Sequence, residues 1–231
     1  FVGDYIYEYA AAKNAVRPHS QPLVRNLAHF RERYALYKSD PALQAAHANA
    51  PWLMVWDDHE VENDYANDRG QRLAGAELLA LRAAGYQAWW EHMPVPKAMR
   101  PVGPDMRIHH RLDWGRLARI HALDARQFRD HQACVPAGRL GGSSVVNAAD
   151  CPELFNPQRS LLGQAQERWL ADGWDLQRRW NLLAQQTLMA RLSHTAVQAP
   201  EAGQPLLTSG RYWTDSWDGY PGARARLLQS L

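Results

Sequence analysis

The feature that most restricts the fold is an abrupt change of character after Trp56. Leu53-Met54-Val55-Trp56 is an unbroken apolar run, and Asp57, Asp58, Glu60, Glu62, Asp64 and Asp68 then place six carboxylates within twelve positions. A short apolar run that follows Pro51 reads as a buried strand, Trp52 to Trp56. Carboxylates crowded at its end repel one another unless a cation or shared protons offset their charge. Two other runs end the same way, "FVGDYIYE" at 1–8 and "HALDARQFRD" at 121–130. In α/β sheets ligands bind in the crevice at the carboxyl ends of the strands. The three segments are therefore candidates to meet at one site, and a metal site is the simplest physical answer to the crowding.

The chain between them alternates helical and extended patterns. Residues 23 to 48 carry Leu27, Phe30, Tyr34 and Tyr37 on one helical face, and Ser39-Asp40-Pro41 supplies a cap and a restart. Ala76 to Met93 is a helix that runs into Pro94, Pro96, Pro101 and Pro104. Arg107 to Leu123 reads as a hairpin about Asp113-Trp114-Gly115, followed by a strand over Leu123–Asp130. Helices are expected over Ser160–Trp169 and Asn181–Leu192, short strands or irregular chain at Leu206–Thr208 and Arg211–Tyr220, and a helix from Ala223. The alternation indicates α/β layers, and 231 residues suit one large domain or a domain with an appendage.

A net charge of +2, spread along the chain, gives no nucleic-acid signature. No stretch approaches the roughly 20 apolar residues that span a bilayer. The chain starts at Phe1 without a methionine, so the lack of a leader peptide does not argue against export. Cys134 and Cys151 flank a Gly/Ser-rich loop, and either a bridge or two free thiols fits them.

Particular residues carry the chemistry. Asp4, after the tight turn that Gly3 permits, is either an oxygen ligand or the cap of a following helix. Tyr7 can add a phenolate. Asp57 and Asp58 point opposite ways at the end of the strand, and His59 can act as ligand, acid or hydrogen-bond donor. The plainer alternative is a solvated acidic turn. Arg126 is a candidate phosphate contact, although an internal pairing with a nearby aspartate is the simpler account. Other classes drop out: no GxSxG elbow, Walker loop or GxGxxG turn is present, and Asn63 stands where a zincin's second histidine belongs.

Together, "GDYIYEY" and "WDDHEVENDY" resemble the PhoD-like family of alkaline phosphatases and phosphodiesterases, within the calcineurin-type metallophosphoesterases. "RERYALYKSDPALQAAHANAPWLMVWDDHE", "YQAWWEHMP", "LDARQFRDHQAC", "LLGQAQERWL", "WNLLAQQT" and "SWDGYPGARARLL" are similar to family segments in family order, so the resemblance spans essentially the whole chain. It implies an α/β fold, the α-β-β-α metallophosphoesterase sandwich, here without its N- and C-terminal strands. It implies a multinuclear centre in which Asp4 bridges metals and Tyr7 gives a phenolate to Fe³⁺. Asp58 takes the place of the asparagine in the superfamily's GNHE motif, and His59 takes that of its histidine. The resemblance further implies Fe³⁺ with Ca²⁺, export to the periplasm or beyond, and a phosphate mono- or diester attacked by metal-activated water. His59 then serves the phosphoryl oxygens or the leaving alkoxide.

The family's upstream metal motif with a cysteine ligand and its final GDxH motif are both absent from these residues. Residues 1–231 are therefore expected to be the central part of a single catalytic domain, truncated at both ends, and on their own to bind metal poorly and hydrolyse little. A reading from another class is a non-catalytic calcium-binding α/β module that binds carbohydrate or a protein partner.

Overall fold

The computed structural model describes residues 1–20, 23–192 and 210–231, so the short strand expected at Leu206–Thr208 lies outside the described residues. Three helices form early in the chain: α1 (Leu27–Lys38), α2 (Pro41–Asn49) and α3 (Ala76–His92). Their starts are local chemistry. Asn26 accepts the His29 amide at 3.0 Å to cap α1, and Asp40 Oδ1 accepts the Ala42 and Leu43 amides at 2.9 and 3.1 Å ahead of Pro41 in α2. Along α3, Leu78, Leu81, Tyr86 and Trp89 are buried, at the spacing of one helical face. There Trp56 stacks on Tyr86 at 4.0 Å and meets Trp89 edge-on at 5.3 Å. These rings, with Ile6, Phe30, Tyr34 and Val61, form the larger core.

A three-stranded sheet follows, in the order β1 (His110–Trp114), β2 (Ala118–Ala122), β4 (Trp180–Ala184). Strands β1 and β2 form the expected antiparallel hairpin, with Trp114 opposite Ala118, and β4 pairs parallel to β2 with Trp180 opposite Ala118. A second pair, β3 (Val145–Asn147) and β5 (Arg211–Trp213), is antiparallel. Helices α4 (Gln164–Ala171) and α5 (Pro221–Gln229) pack around a smaller core of Leu123, Leu162, Leu170, Trp217 and Tyr220. Among the described residues no helix is long and apolar enough to cross a membrane.

Several local expectations are corrected. The strand expected over Trp52–Trp56 reduces to a single parallel bridge between Val55 and Val2, because the chain leaves extended pairing at once to build the acidic turn. Leu123–Asp130 is loop, since Asp124 Oδ1 accepts the amides of Arg126 and Gln127, both at 3.0 Å, and folds the chain into a turn. The Asn181–Leu192 helix is instead β4 followed by irregular chain. Leu182 and Leu183 pair across to Ile120 and His121, so tertiary pairing overrides local propensity. Helix α4 starts four residues later than expected, after Gly163 in a left-handed conformation (φ 75°). Cys134 and Cys151 are joined by a disulfide.

Candidate metal centre

Two glycines allow the motifs to converge. Gly3 has φ 103°, and a Cβ there would lie 2.4 Å from the Asp57 Cβ, so the "GDYIYE" turn lies directly on the acidic turn. Gly85 on α3 lets the helix backbone reach the acidic turn from the other side, where a Cβ would meet the Glu60 carbonyl at 2.5 Å. Glu60, fully buried, stitches the two turns together: its carboxylate accepts the amides of Asp57 at 2.8 Å, Tyr5 at 2.5 Å and Asp4 at 3.2 Å. Burial pushes its carboxyl up to about 8, against the Asp57 and Tyr5 amides that hold it down.

The convergence brings Asp4, Asp58 and His59 together, with one ligand atom from each lying within 4.8 Å of the others. Asp4 adopts a left-handed backbone (φ 55°). Its Oδ1 is buried and has no hydrogen-bond partner, while its Oδ2 accepts from the Tyr7 hydroxyl at 3.4 Å. Burial raises the Asp4 carboxyl, and the neighbouring Asp58 charge adds to the rise. Burial likewise pushes the Tyr7 phenol up to about 12, with the Asp4 charge adding to it. Asp58 behaves oppositely: burial disfavours its charge, but Arg126, His59 and the Asp64 amide outweigh burial and hold it low. A carboxylate oxygen buried without a donor, beside a second carboxylate, a phenol and an imidazole, is a donor set suited to a hard cation. A cation there would offset the mutual repulsion and draw the phenol toward phenolate.

His59 is oriented from behind. Its Nδ1 lies 2.8 Å from Glu8 Oε2, while Glu8 Oε1 accepts the Asn63 amide at 2.8 Å. That leaves Nε2 as the nitrogen available to the site. Burial opposes a charged imidazole, yet the Glu8 bond and the charges of Asp58, Glu8 and Asp4 prevail and raise it to about 9. The rings of Tyr7 and Tyr9 pack on the imidazole at 4.3 and 5.1 Å.

Arg126, the candidate phosphate contact, is 2% exposed. Its Nε donates to Asp57 Oδ1 at 2.5 Å, its Nη1 donates to Asp215 Oδ1 at 2.9 Å, and its Nη2 stands 3.5 Å from Asp58 Oδ1. Arg129 Nη1 and Gln132 Nε2 add 2.8 and 2.9 Å bonds to the same Asp215 oxygen. A second acidic group, Asp58 with Asp64 and Asp215, therefore stands beside two guanidinium groups that already compensate its charge. Glu60 and Asp64 were counted among the crowded carboxylates but given no role, and Glu8 and Asp215 were not singled out from sequence. Glu8, Glu60 and Asp64 lie inside the quoted motifs, and their burial is what marks them.

The family model of the PhoD-like phosphatases matches residues 1–231. The chain belongs to the PhoD-like phosphatase family. Alkaline phosphatase D of Bacillus subtilis (strain 168) is 40% identical over 237 residues, an alignment that covers all of this chain and 37% of that protein. A solved structure, "Structure of PhoD", superposes with a TM-score of 0.84 at 39% identity, over 99% of this chain and 42% of the other. The chain thus spans well under half the length of the curated relative it matches.

Proposed function

We propose that these residues carry the central part of a metal-dependent phosphoric ester hydrolase site of the PhoD type. The carrying observation is the convergence of Asp4, Tyr7, Asp58 and His59 around a buried, unpartnered carboxylate oxygen, in a chain that belongs to this family. In this reading Asp4, Tyr7 and Asp58 hold the metals, with Fe³⁺ and Ca²⁺ as the ions, and the described sheets form part of a larger α-β-β-α sandwich. Residues 1–231 are the middle of one catalytic domain, which fits their 37% share of the relative.

A bound cation supplies the Lewis acidity that acidifies a water and offsets charge on a phosphoryl group. The chain's own residues do the rest. Asp4, whose amide donates to the Glu60 carboxylate, and Asp58, whose Oδ2 accepts the Asp64 amide, set where the charge is held. His59, steered by Glu8 and held positive by it, presents Nε2 to the phosphoryl oxygens or protonates the leaving alkoxide. Arg126, buried between Asp57 and Asp215, acts by positioning those two carboxylates, without reaching the ester. The substrate is a phosphate mono- or diester, and the protein is exported. The alternative of a non-catalytic calcium-binding module for carbohydrate or a protein partner gains nothing from the family membership.

The test uses the intact protein. It should hydrolyse p-nitrophenyl phosphate or its bis-ester, lose that activity to a chelator and regain it with metal. Tyr7→Phe should abolish any visible absorption from a tyrosinate–iron pair. Chelator-resistant hydrolysis, or none of either ester by the metal-loaded protein, would overturn the reading.

A further inference from the structure

The loop that the disulfide closes has no part in the chemistry above, yet it reaches the metal centre through one residue, Asp64. We propose that Asp64 and Ser143 are positioning residues for Asp58, with the Cys134–Cys151 loop acting as a strap that keeps Asp58 turned toward the metals. The proposal rests on the reading of Asp58 as a ligand.

Asp64 has a left-handed backbone (φ 54°), strained for a residue with a Cβ, so its surroundings must hold it there. They do so from three sides. Its Oδ2 accepts from Ser143 Oγ at 2.7 Å, the Ser143 amide at 3.2 Å and Gln71 Nε2 at 2.8 Å. Its carbonyl accepts Gln132 Nε2 at 2.7 Å. In that pose its amide donates to Asp58 Oδ2 at 2.6 Å.

The amide matters because Asp58 has a competitor for its charge. The other oxygen, Oδ1, stands 3.5 Å from Arg126 Nη2, beyond a good hydrogen bond but close enough to become one with a small rotation. An Asp58 closed onto the guanidinium would be a weaker cation ligand. The Asp64 amide fixes Oδ2 and opposes that rotation, as partners behind a metal ligand commonly do.

Ser143 is in turn secured by the strap. It lies between Cys134 and Cys151, and its neighbour Ser144 exchanges bonds with Thr214: the Ser144 amide meets Thr214 Oγ1 at 2.9 Å, and the Thr214 amide meets the Ser144 carbonyl at 2.9 Å. Strand β3 then pairs with β5, and Cys151 is fully buried. A loop anchored at both ends holds the serine against Asp64 at little further entropic cost.

The experiment is calorimetric titration of Ca²⁺ into the chelated intact protein, together with its thermal unfolding with and without Ca²⁺. Compared with wild type are Ser143→Ala, Ser143→Thr and Asp58→Asn. Ser143→Ala should weaken Ca²⁺ binding roughly tenfold, in the range seen when partners behind a ligand are removed. Ser143→Thr, which keeps the hydroxyl, should restore it. The midpoint gain on adding Ca²⁺ should shrink in Ser143→Ala in proportion, because a ligand stabilises by its affinity for the native state. If Ser143→Ala lowers the midpoint equally with and without Ca²⁺ while affinity is unchanged, or if threonine fails to rescue, the strap is merely structural and the proposal is overturned. If Asp58→Asn also leaves Ca²⁺ binding untouched, the ligand reading of Asp58 fails and the proposal falls with it.

Discussion

Two neighbouring clusters in this protein are built from the same side-chain types and are partnered in opposite ways. Around Asp4, Asp58 and His59, a buried carboxylate oxygen is left without a donor. A few residues away, Asp57 and Asp215 are saturated by Arg126, Arg129 and Gln132. Arginine supplies planar, permanent positive charge and five donors, so carboxylates set around it need nothing more. Where no guanidinium is supplied, the same acids retain the capacity to bind a cation. Asp58 stands on the boundary, 3.5 Å from Arg126 and within the ligand group, so the two clusters are coupled through it.

The largest effect should come from breaking the saturated cluster. Arg126→Met leaves Asp57 without its guanidinium partner and takes a positive charge from the buried Asp58 and Asp215, and should cost about 3–5 kcal/mol of stability, as expected when one partner of a buried ion pair is removed. Arg126→Lys should recover little of it, because an ammonium cannot serve Asp57 and Asp215 with a planar fork. Urea unfolding of the intact protein measures both. A stability loss below ~1 kcal/mol would mean the cluster is not organised by charge.

Breaking the cluster around Asp4 should do the reverse. Asp4→Asn should lower kcat/KM and metal affinity by at least about a hundredfold, the upper end for residues that merely support a ligand. The chelated protein should become no less stable, since the change removes a carboxylate that burial and Asp58 already disfavour. Metal analysis alongside unfolding checks the pair, and a marked destabilisation of the chelated variant would contradict the contrast.

The smallest effect concerns pH. In the chelated protein His59 is raised from 6.5 to about 9, so its favourable contribution is complete below pH 6.5 and is lost as the pH climbs through 9. Wild type should exceed Glu8→Gln in stability at pH 6, and the gap should narrow by pH 10. A gap that stays constant across that range would show that Glu8 does not hold the imidazole charged.

Much of this was legible in the chain. The cap at Asp40, the apolar face of α1 and the extent of α3 are written within a few residues of where they act. The two acidic motifs nominated Asp4, Asp58 and His59, and the structure brings these three side chains together. The helix expected over Asn181–Leu192 failed because β4 is decided by pairing with β2, some 60 residues earlier. Arg126 could be named as important, but sequence left open whether it faced a phosphate or an aspartate.

The sequence by itself therefore determined the early helices, the hairpin, the motif residues and the family. Only the tertiary structure decided which carboxylates are satisfied by arginine and which remain open to a metal. It also decided that Cys134 and Cys151 pair and that Ser143 reaches Asp64. The physical reason is range. Caps and helical faces depend on neighbours within one or two turns, whereas Arg126 meets Asp57 across 69 residues and Asp215 across 89. Compensation of a buried charge depends on which groups the fold brings within about 3 Å of it.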